Sequence, residues 1–268
     1  MPQQELEKLI PHLVDLAQRA GTVISEIYRR QFVVAQKSDF SPVTEADIAS
    51  HDLLVAGLEK LTPGIPIVSE EDACPAFSER AKWGSLWLVD PLDGTREFIK
   101  RNDEFTVNVA LVQGHEAVLG LVYSPTSGVS YFACRGGRAY KQLADGPAQP
   151  MTTRRWDGKH IVIAGSRSHR SERFNAFLRG FESYDVICLG SSLKSCWVAD
   201  GRADVYIRFG PTSEWDTAAA HCIVKQAGGD ILDLDMKPLR YNTKESVLNP
   251  PFIVVGDIDH DWRAYLPG

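Results

Sequence analysis

Three short acidic segments contain the residues best placed to do chemistry. Glu70-Glu71-Asp72 closes the apolar run IPIVS, Asp90 and Asp93 flank Pro91-Leu92 in WLVDPLDGT, and Glu214 and Asp216 lie in GPTSEWDTAAA. Each follows a strand-like run or precedes a helical pattern, so their carboxylates can converge at one edge of a core. Like charges at a buried strand end are costly unless a cation or ligand compensates them. Oxygen donors without an accompanying His or Cys describe a magnesium-type site. Two such ions about 4 Å apart can hold a phosphate and generate an attacking hydroxide. The plain alternative is a cap or a solvated turn for any one pair, and Asp216 alone could be the N-cap of TAAAHCIVKQAG. Three pairs at analogous strand–turn positions argue for the cation.

The spacing in DPLDGT constrains the chemistry further. Pro91 fixes φ and is expected to turn the chain directly after Asp90. Gly94 allows a tight backbone and Thr95 starts a helical turn, so that both aspartates and the Leu92 carbonyl can face one cation. The free amides of Gly94 and Thr95 are then available to a phosphate oxygen. Two further helix starts look equally suited, at Gly190-Ser191 in GSSLKS and at Asp216. The D-x-D-G-T motif of haloacid-dehalogenase phosphatases, whose first Asp is a covalent nucleophile, has one residue between its aspartates. Here there are two, and in a regular strand positions i and i+3 face opposite ways. That reading is rejected.

The elements that must position these acids can be read from periodicity. Leu6, Ile10, Leu13, Leu16, Ala17, Ala20, Ile24 and Ile27 form the stripe of a long amphipathic helix. A second helix follows in SPVTEADIASHDLLVAGLEKL, with Thr44 as N-cap, and Thr62-Pro63-Gly64 ends it. FTVNVALVQGHEAVLGLVYSPTSGVSYFACRGGRAY reads as successive antiparallel strands with turns at Gln113-Gly114, Ser127-Gly128 and Gly136-Gly137. The stretch from Asp145 to Pro150 is the best boundary. It divides an α+β half (1–148), with most of the acids, from an α/β half (149–268) in which HIVIAGS, YDVICLG and DVYIR alternate with helical patterns.

Bulk composition bounds the partners. The 268 residues are 44% hydrophobic and 24% charged, as in an ordinary globular protein. A net charge of -6 argues against a nucleic-acid polymer as ligand, but not against a small phosphorylated substrate reached through bound cations. No apolar run reaches the length of a membrane span, and the N-terminus lacks the order of a secretory signal; peripheral attachment stays open. Cys74, Cys134, Cys188, Cys196 and Cys222 are spread without a C-x-x-C pair, which favours reduced, mostly buried thiols in a cytoplasmic protein. Arg154-Arg155 reads as a solvated turn.

VSEED, WLVDPLDGT and GPTSEWDTAAA, in this order, closely resemble the magnesium-dependent, lithium-sensitive phosphatases of the inositol monophosphatase superfamily, over nearly the full chain. SPVTEADIASHDLL, GSSLKSCWVADGRADVYIRFGPTSEWDTAAAH and KPLRYNTKESVLNPPFIV are similar to its CysQ-type branch, the 3'(2'),5'-bisphosphate nucleotidases. The resemblance implies a layered αβαβα sandwich. It implies hydrolysis of the 3'-phosphate of adenosine 3',5'-bisphosphate to AMP, in support of sulfate assimilation and nucleotide recycling. The implied metal ligands are Glu70, Asp90, the Leu92 carbonyl, Asp93 and Asp216, holding two Mg2+ ions, with Glu71 in the outer shell or beside a third. Thr95, held by Asp47, corresponds to the threonine that positions or deprotonates the attacking water. A threonine is a poor base alone, so the metal must lower the water's pKa while Asp47 orients the hydroxyl.

For the substrate, the resemblance implies that Lys194 and Arg208 hold the 5'-phosphate and that Ser168-His169 lies beside the adenine. Gly190 and Ser191 would face the sugar, with Gly94 and Thr95 near the reacting phosphate. The rival reading is an inositol-1-phosphate or fructose-1,6-bisphosphate phosphatase on the same metal core. Inositol monophosphate has no second phosphate for Lys194 and Arg208. A non-catalytic phospho-ligand sensor is disfavoured because the acidic set and Thr95 are complete, and a redox sensor because no thiols are paired in spacing. If the acids hold the ions, Asp90→Asn and Asp93→Asn should each lower magnesium-supported phosphate release by at least about a hundredfold, measured at saturating substrate.

Overall fold

The computed structural model describes residues 1–37, 40–144, 146–166 and 171–267, without the side chain of Ser166. The amphipathic stripe becomes α1 (Gln3–Tyr28), which buries Leu6, Leu13, Leu16, Ala17, Ala20, Ile24 and Ile27. Leu9 is buried with them, while Ile10 is only half-buried. A short antiparallel ribbon, β1 (Val34–Gln36) and β2 (Pro42–Thr44), leads into α2 (Glu45–Leu61). Thr44 is its N-cap as expected, in a capping box whose third helical residue is Asp47.

Next comes the run β3 (Ile67–Ser69), α3 (Phe77–Arg80), β4 (Ser85–Asp93), α4 (Thr95–Lys100), β5 (Thr106–Gln113), β6 (Glu116–Ser124), β7 (Val129–Cys134), β8 (Tyr140–Leu143) and β9 (Gln149–Pro150). The strands form one seven-stranded sheet in sequence order, antiparallel except for β3 alongside β4. The strand β4 does not end at Pro91. It carries on to Asp93 through a bulge in which Asp90 pairs with Asn108 and Asp93 with Thr106, so Pro91 and Leu92 oppose Val107 alone. Since Asn108 and Thr106 are two apart, the extra residue returns Asp90 and Asp93 to the same face. The alternation expected of a regular strand is corrected by the bulge, which the missing N–H of Pro91 favours.

The second half contributes β10 (Ile161–Ser166), α5 (Glu172–Leu178), β11 (Tyr184–Leu189), α6 (Leu193–Ala199), β12 (Val205–Arg208), α7 (Glu214–Ala227), β13 (Asp230–Asp233), β14 (Phe252–Val255) and a 3-10 turn at Trp262–Tyr265. Its sheet runs β11-β10-β12-β14-β13, parallel among the first three and antiparallel beyond. Gly190 and Ser191 do not start a helix: α6 begins at Leu193, and Ser191 has φ 47°, a left-handed conformation that a helix cannot continue through. Asp216 is not an N-cap but the third residue of α7, in a capping box with Ser213. Nor is Arg154 in a solvated turn; its guanidinium grips the buried Asp204 carboxylate at 2.6 and 2.5 Å.

Three apolar clusters define the layers. Residues of α1 and α2 pack on the outer face of the first sheet through Trp87, Val89, Val107 and Val109. Residues of α6 and α7 fill the space between the sheets, against Leu86, Leu88 and Ala110 on one side and Ala164, Tyr206 and Val254 on the other. Phe174, Phe177 and Trp262 cover the outer face of the second sheet. This is the αβαβα order that the resemblance implies. Among the described residues no helix is long and apolar enough to cross a membrane.

The central layer depends on close backbone approach. A Cβ at Gly120 of β6 would lie 2.1 Å from the Ala219 carbonyl oxygen of α7, and neither backbone can yield cheaply. Gly120→Ala should therefore cost about 1–3 kcal/mol of folding stability, read by denaturant titration.

Candidate active site

The bulge puts Asp90 and Asp93 on the face of the first sheet that looks into the central layer, where the start of α7 meets it. Glu70 extends from β3, its N–H donating to the Val89 carbonyl at 3.1 Å, so it ends level with Asp90. Carboxylate oxygens of Glu70, Asp90 and Asp216 lie within 4.8 Å of one another, and Asp90 is 1% exposed. Asp93 stands beside them, with its Oδ2 accepting from Ser192 Oγ at 2.8 Å and Asn108 Nδ2 at 3.2 Å.

Burial, reinforced by the neighbouring acids, holds Asp90 and Asp216 well above the usual carboxylate range. Burial also raises Glu70, against the pull of Lys37, and pushes Glu71 up to about 7. Lys37 Nζ sits 3.0 Å from Glu70 Oε1 and 2.7 Å from Glu71 Oε1. One lysine at the rim cannot neutralise this set, whereas a hard divalent cation suits an all-oxygen donor group. The residues present therefore fit magnesium. Glu214, grouped with Asp216 by sequence, turns elsewhere: its Oε2 accepts from the Asn242 N–H at 2.7 Å, and burial raises its pKa to about 7. Asp72 is exposed and accepts from the Ala73 N–H.

Thr95 is the first residue of α4, placed there by Gly94 at φ 95°. Its hydroxyl donates to Asp47 Oδ1 at 3.0 Å, and the Leu92 carbonyl lies 3.4 Å away. Asp47 Oδ2 accepts from the N–H of Thr44 at 2.7 Å and its hydroxyl at 2.5 Å, and burial raises its pKa. Ser50, one turn along α2, donates to the Pro91 carbonyl at 2.8 Å and braces the bulge from behind.

A cavity of about 150 Å³ opens beside the acids and brings most of the expected substrate residues together. Asp93, Gly94, Gly190, Ser191, Lys194, Arg208 and Asp216 all line it. Lys194 is 6% exposed; its Nζ donates to the Ser191 carbonyl at 2.6 Å and lies 5.2 Å from the Tyr206 ring centroid, and burial draws its pKa down to about 8. Ser191 Oγ and Arg208 Nε are buried without a hydrogen-bond partner among the described residues. Gly190 is required by proximity, since a Cβ there would be 2.5 Å from the Glu104 carbonyl oxygen. His169 and Ser168 lie outside the described residues. Sequence reasoning missed Ser192, Asn108, Thr106 and Lys37. The hydroxyl next to Ser191 and the polar alternation of TVN facing the acids were the available signals for three of them; Lys37 had none.

A half-buried cluster of carboxylates around Asp90, a threonine held by a further aspartate and an adjoining cavity lined by Lys194 and Arg208 suit cation-assisted work on a phosphorylated small molecule. The family model described as "Inositol monophosphatase family" matches residues 5–259, and the chain belongs to that family. It is 45% identical to the Salmonella typhimurium 3'(2'),5'-bisphosphate nucleotidase CysQ over 92% of this chain and 99% of that one. The crystal structure of CysQ from Bacteroides thetaiotaomicron superposes with a TM-score of 0.81 at 39% identity, covering 95% of this chain and 97% of the other. An IMPase/NADP phosphatase structure complexed with Mg2+ and phosphate shares the fold, with a TM-score of 0.76 at 21% identity over 95% and 91% of the two chains.

The raised acids give a signed pH dependence. A carboxyl whose folded pKa is raised stabilises the fold below its unfolded value and loses that contribution as pH rises toward its folded value. For Glu71 and Glu214 the window runs from the ordinary glutamate value of 4.5 to about 7. The melting temperature of chelator-treated protein should fall across that window, and saturating Mg2+ should raise it most at the alkaline end. Calorimetry at several pH values reads both effects.

Proposed function

We infer that the chain is a magnesium-dependent 3'(2'),5'-bisphosphate nucleotidase that hydrolyses the 3'-phosphate of adenosine 3',5'-bisphosphate. The observation that carries this reading is the cavity, with Asp93 and Asp216 at one end and the buried Lys194 and half-buried Arg208 on its wall. A ligand with two separated phosphates answers both ends. An inositol monophosphate would leave Lys194 and Arg208 without a counter-charge. The names of the CysQ relatives support the same substrate.

Glu70, Asp90, the Leu92 carbonyl, Asp93 and Asp216 would hold two ions, with Glu71 beside a third. When bound, magnesium lowers the pKa of a water and offsets charge developing on the departing oxygen. Thr95 Oγ1, its proton directed at Asp47 Oδ1, presents its lone pairs to the water and can accept a proton while passing its own to Asp47. The raised pKa of Asp47 suits it as the final acceptor. Lys194 and Arg208 hold the 5'-phosphate, and Gly190 and Ser191 face the sugar. The first 148 residues supply most of the acids, and residues 149–268 supply the substrate contacts and Asp216. Five cysteines without a disulfide support a place in the cytoplasm.

Phosphate release measured side by side on adenosine 3',5'-bisphosphate and inositol 1-phosphate tests the reading. We expect kcat/KM to favour the nucleotide by at least about a hundredfold, the size of effect that an unmatched buried charge produces. A higher value for the inositol ester would overturn the assignment.

A further inference from the structure

Ser192 occupies the N-cap position of α6, yet its side chain makes no cap bond to the helix. A serine there normally accepts from the second or third helical N–H. Instead this hydroxyl, 5% exposed, turns toward the acids. It lies 2.8 Å from Asp93 Oδ2 and 2.9 Å from the backbone carbonyl of Asp216, and it accepts from Asn108 Nδ2 at 2.9 Å. Thr106 Oγ1 donates to Asn108 Oδ1 at 3.0 Å, which turns the amide so that its Nδ2 faces both Ser192 and Asp93. Ser192 has one proton and two acceptors in reach. The carboxylate is the stronger, because a charge-assisted hydrogen bond is worth about twice a neutral one.

We propose that Ser192 is a positioning residue that locks Asp93 in one orientation and ties it to the segment facing the substrate's second phosphate. The chain Thr106–Asn108–Ser192–Asp93 engages Asp93 Oδ2 and leaves Oδ1 as the oxygen for a cation. On its other side Ser192 is continuous with Ser191, whose carbonyl anchors the Lys194 ammonium. The Asp216 carbonyl, in the first turn of α7, lies 2.9 Å from the same oxygen, so three segments from both halves of the chain meet there. Cation affinity and recognition of the second phosphate are thereby coupled. This inference rests on the reading of Asp93 as a metal ligand and of Lys194 as a phosphate contact.

The test compares wild type with Ser192→Ala, Ser192→Thr and Asn108→Ala. Mn2+ binding to substrate-free protein is followed by the electron paramagnetic resonance signal of the free ion, together with steady-state kinetics on adenosine 3',5'-bisphosphate. Removing the hydroxyl should weaken Mn2+ binding by about tenfold or more, the usual cost of losing an outer-shell partner. KM for the bisphosphate should rise with it, while the melting temperature of the chelator-treated variant stays near that of wild type. Ser192→Thr, which keeps the hydroxyl, should restore Mn2+ affinity, and Asn108→Ala should lower it through the other end of the chain. Wild-type Mn2+ affinity in both Ser192→Ala and Asn108→Ala would overturn the role of Ser192 and leave the metal reading standing. Failure of wild type itself to bind Mn2+ would overturn both.

Discussion

Carboxylates gathered within 4.8 Å of one another, as those of Glu70, Asp90 and Asp216 are, repel more strongly inside a protein than any surface pair. The site tolerates them through a shared device. Asp47 and Asp216 are both the third helical residues of capping boxes, each accepting through Oδ2 from the N–H of its N-cap residue, at 2.7 and 2.8 Å. Asp90 Oδ1 accepts from the Leu92 N–H at 3.0 Å, and Asp93 Oδ2 from Ser192 and Asn108. In each case one oxygen is satisfied by a fixed protein donor and the other is left for Thr95 or for a cation. The donors set the direction of these four aspartates before any ion arrives, so little reorganisation of them is needed on binding.

The bulge at Pro91-Leu92 does for the strand what the capping boxes do for the helices. Without it, two aspartates three apart would face opposite layers and could not share a ligand. One unpaired residue restores their common face, and Ser50 holds the carbonyl of Pro91 from the outer helix layer. The common face expected from a turn directly after Asp90 is thus reached by a bulge within β4.

This explains which features were legible beforehand. The stripe of α1, the Thr44 cap and the hairpins of β5 to β8 follow from periodicity and turn chemistry acting within a few residues, and they appear where expected. The acids were legible as types, since a carboxylate at a strand end is unusual wherever the chain later goes. What could not be read were arrangements that depend on long-range partners. Ser192 looks like an ordinary cap until Asn108, 84 residues away in the chain, is found donating to it. Ser191 looked like a helix start because its left-handed φ leaves no mark in the composition. Glu214 and Asp216 seemed equivalent, yet positions one and three of a helix point in different directions, and only the third meets the first sheet.

The central layer also makes assembly of the site inseparable from folding. Asp216 belongs to the second half of the chain but faces acids on the first sheet, because α7 packs on β5 and β6 through Ala218, Ala219 and Ala220. Those small side chains, with Gly120 opposite, bring the helix close enough for an acid on its first turn to reach Glu70 and Asp90. A larger residue along that seam would move the helix by a fraction of its diameter, and the same displacement would separate the carboxylates. The apolar contact sets the distance between the charges. The close approach of the Ala219 backbone to Gly120 is in this sense part of the cation site, although neither residue carries a polar side-chain atom.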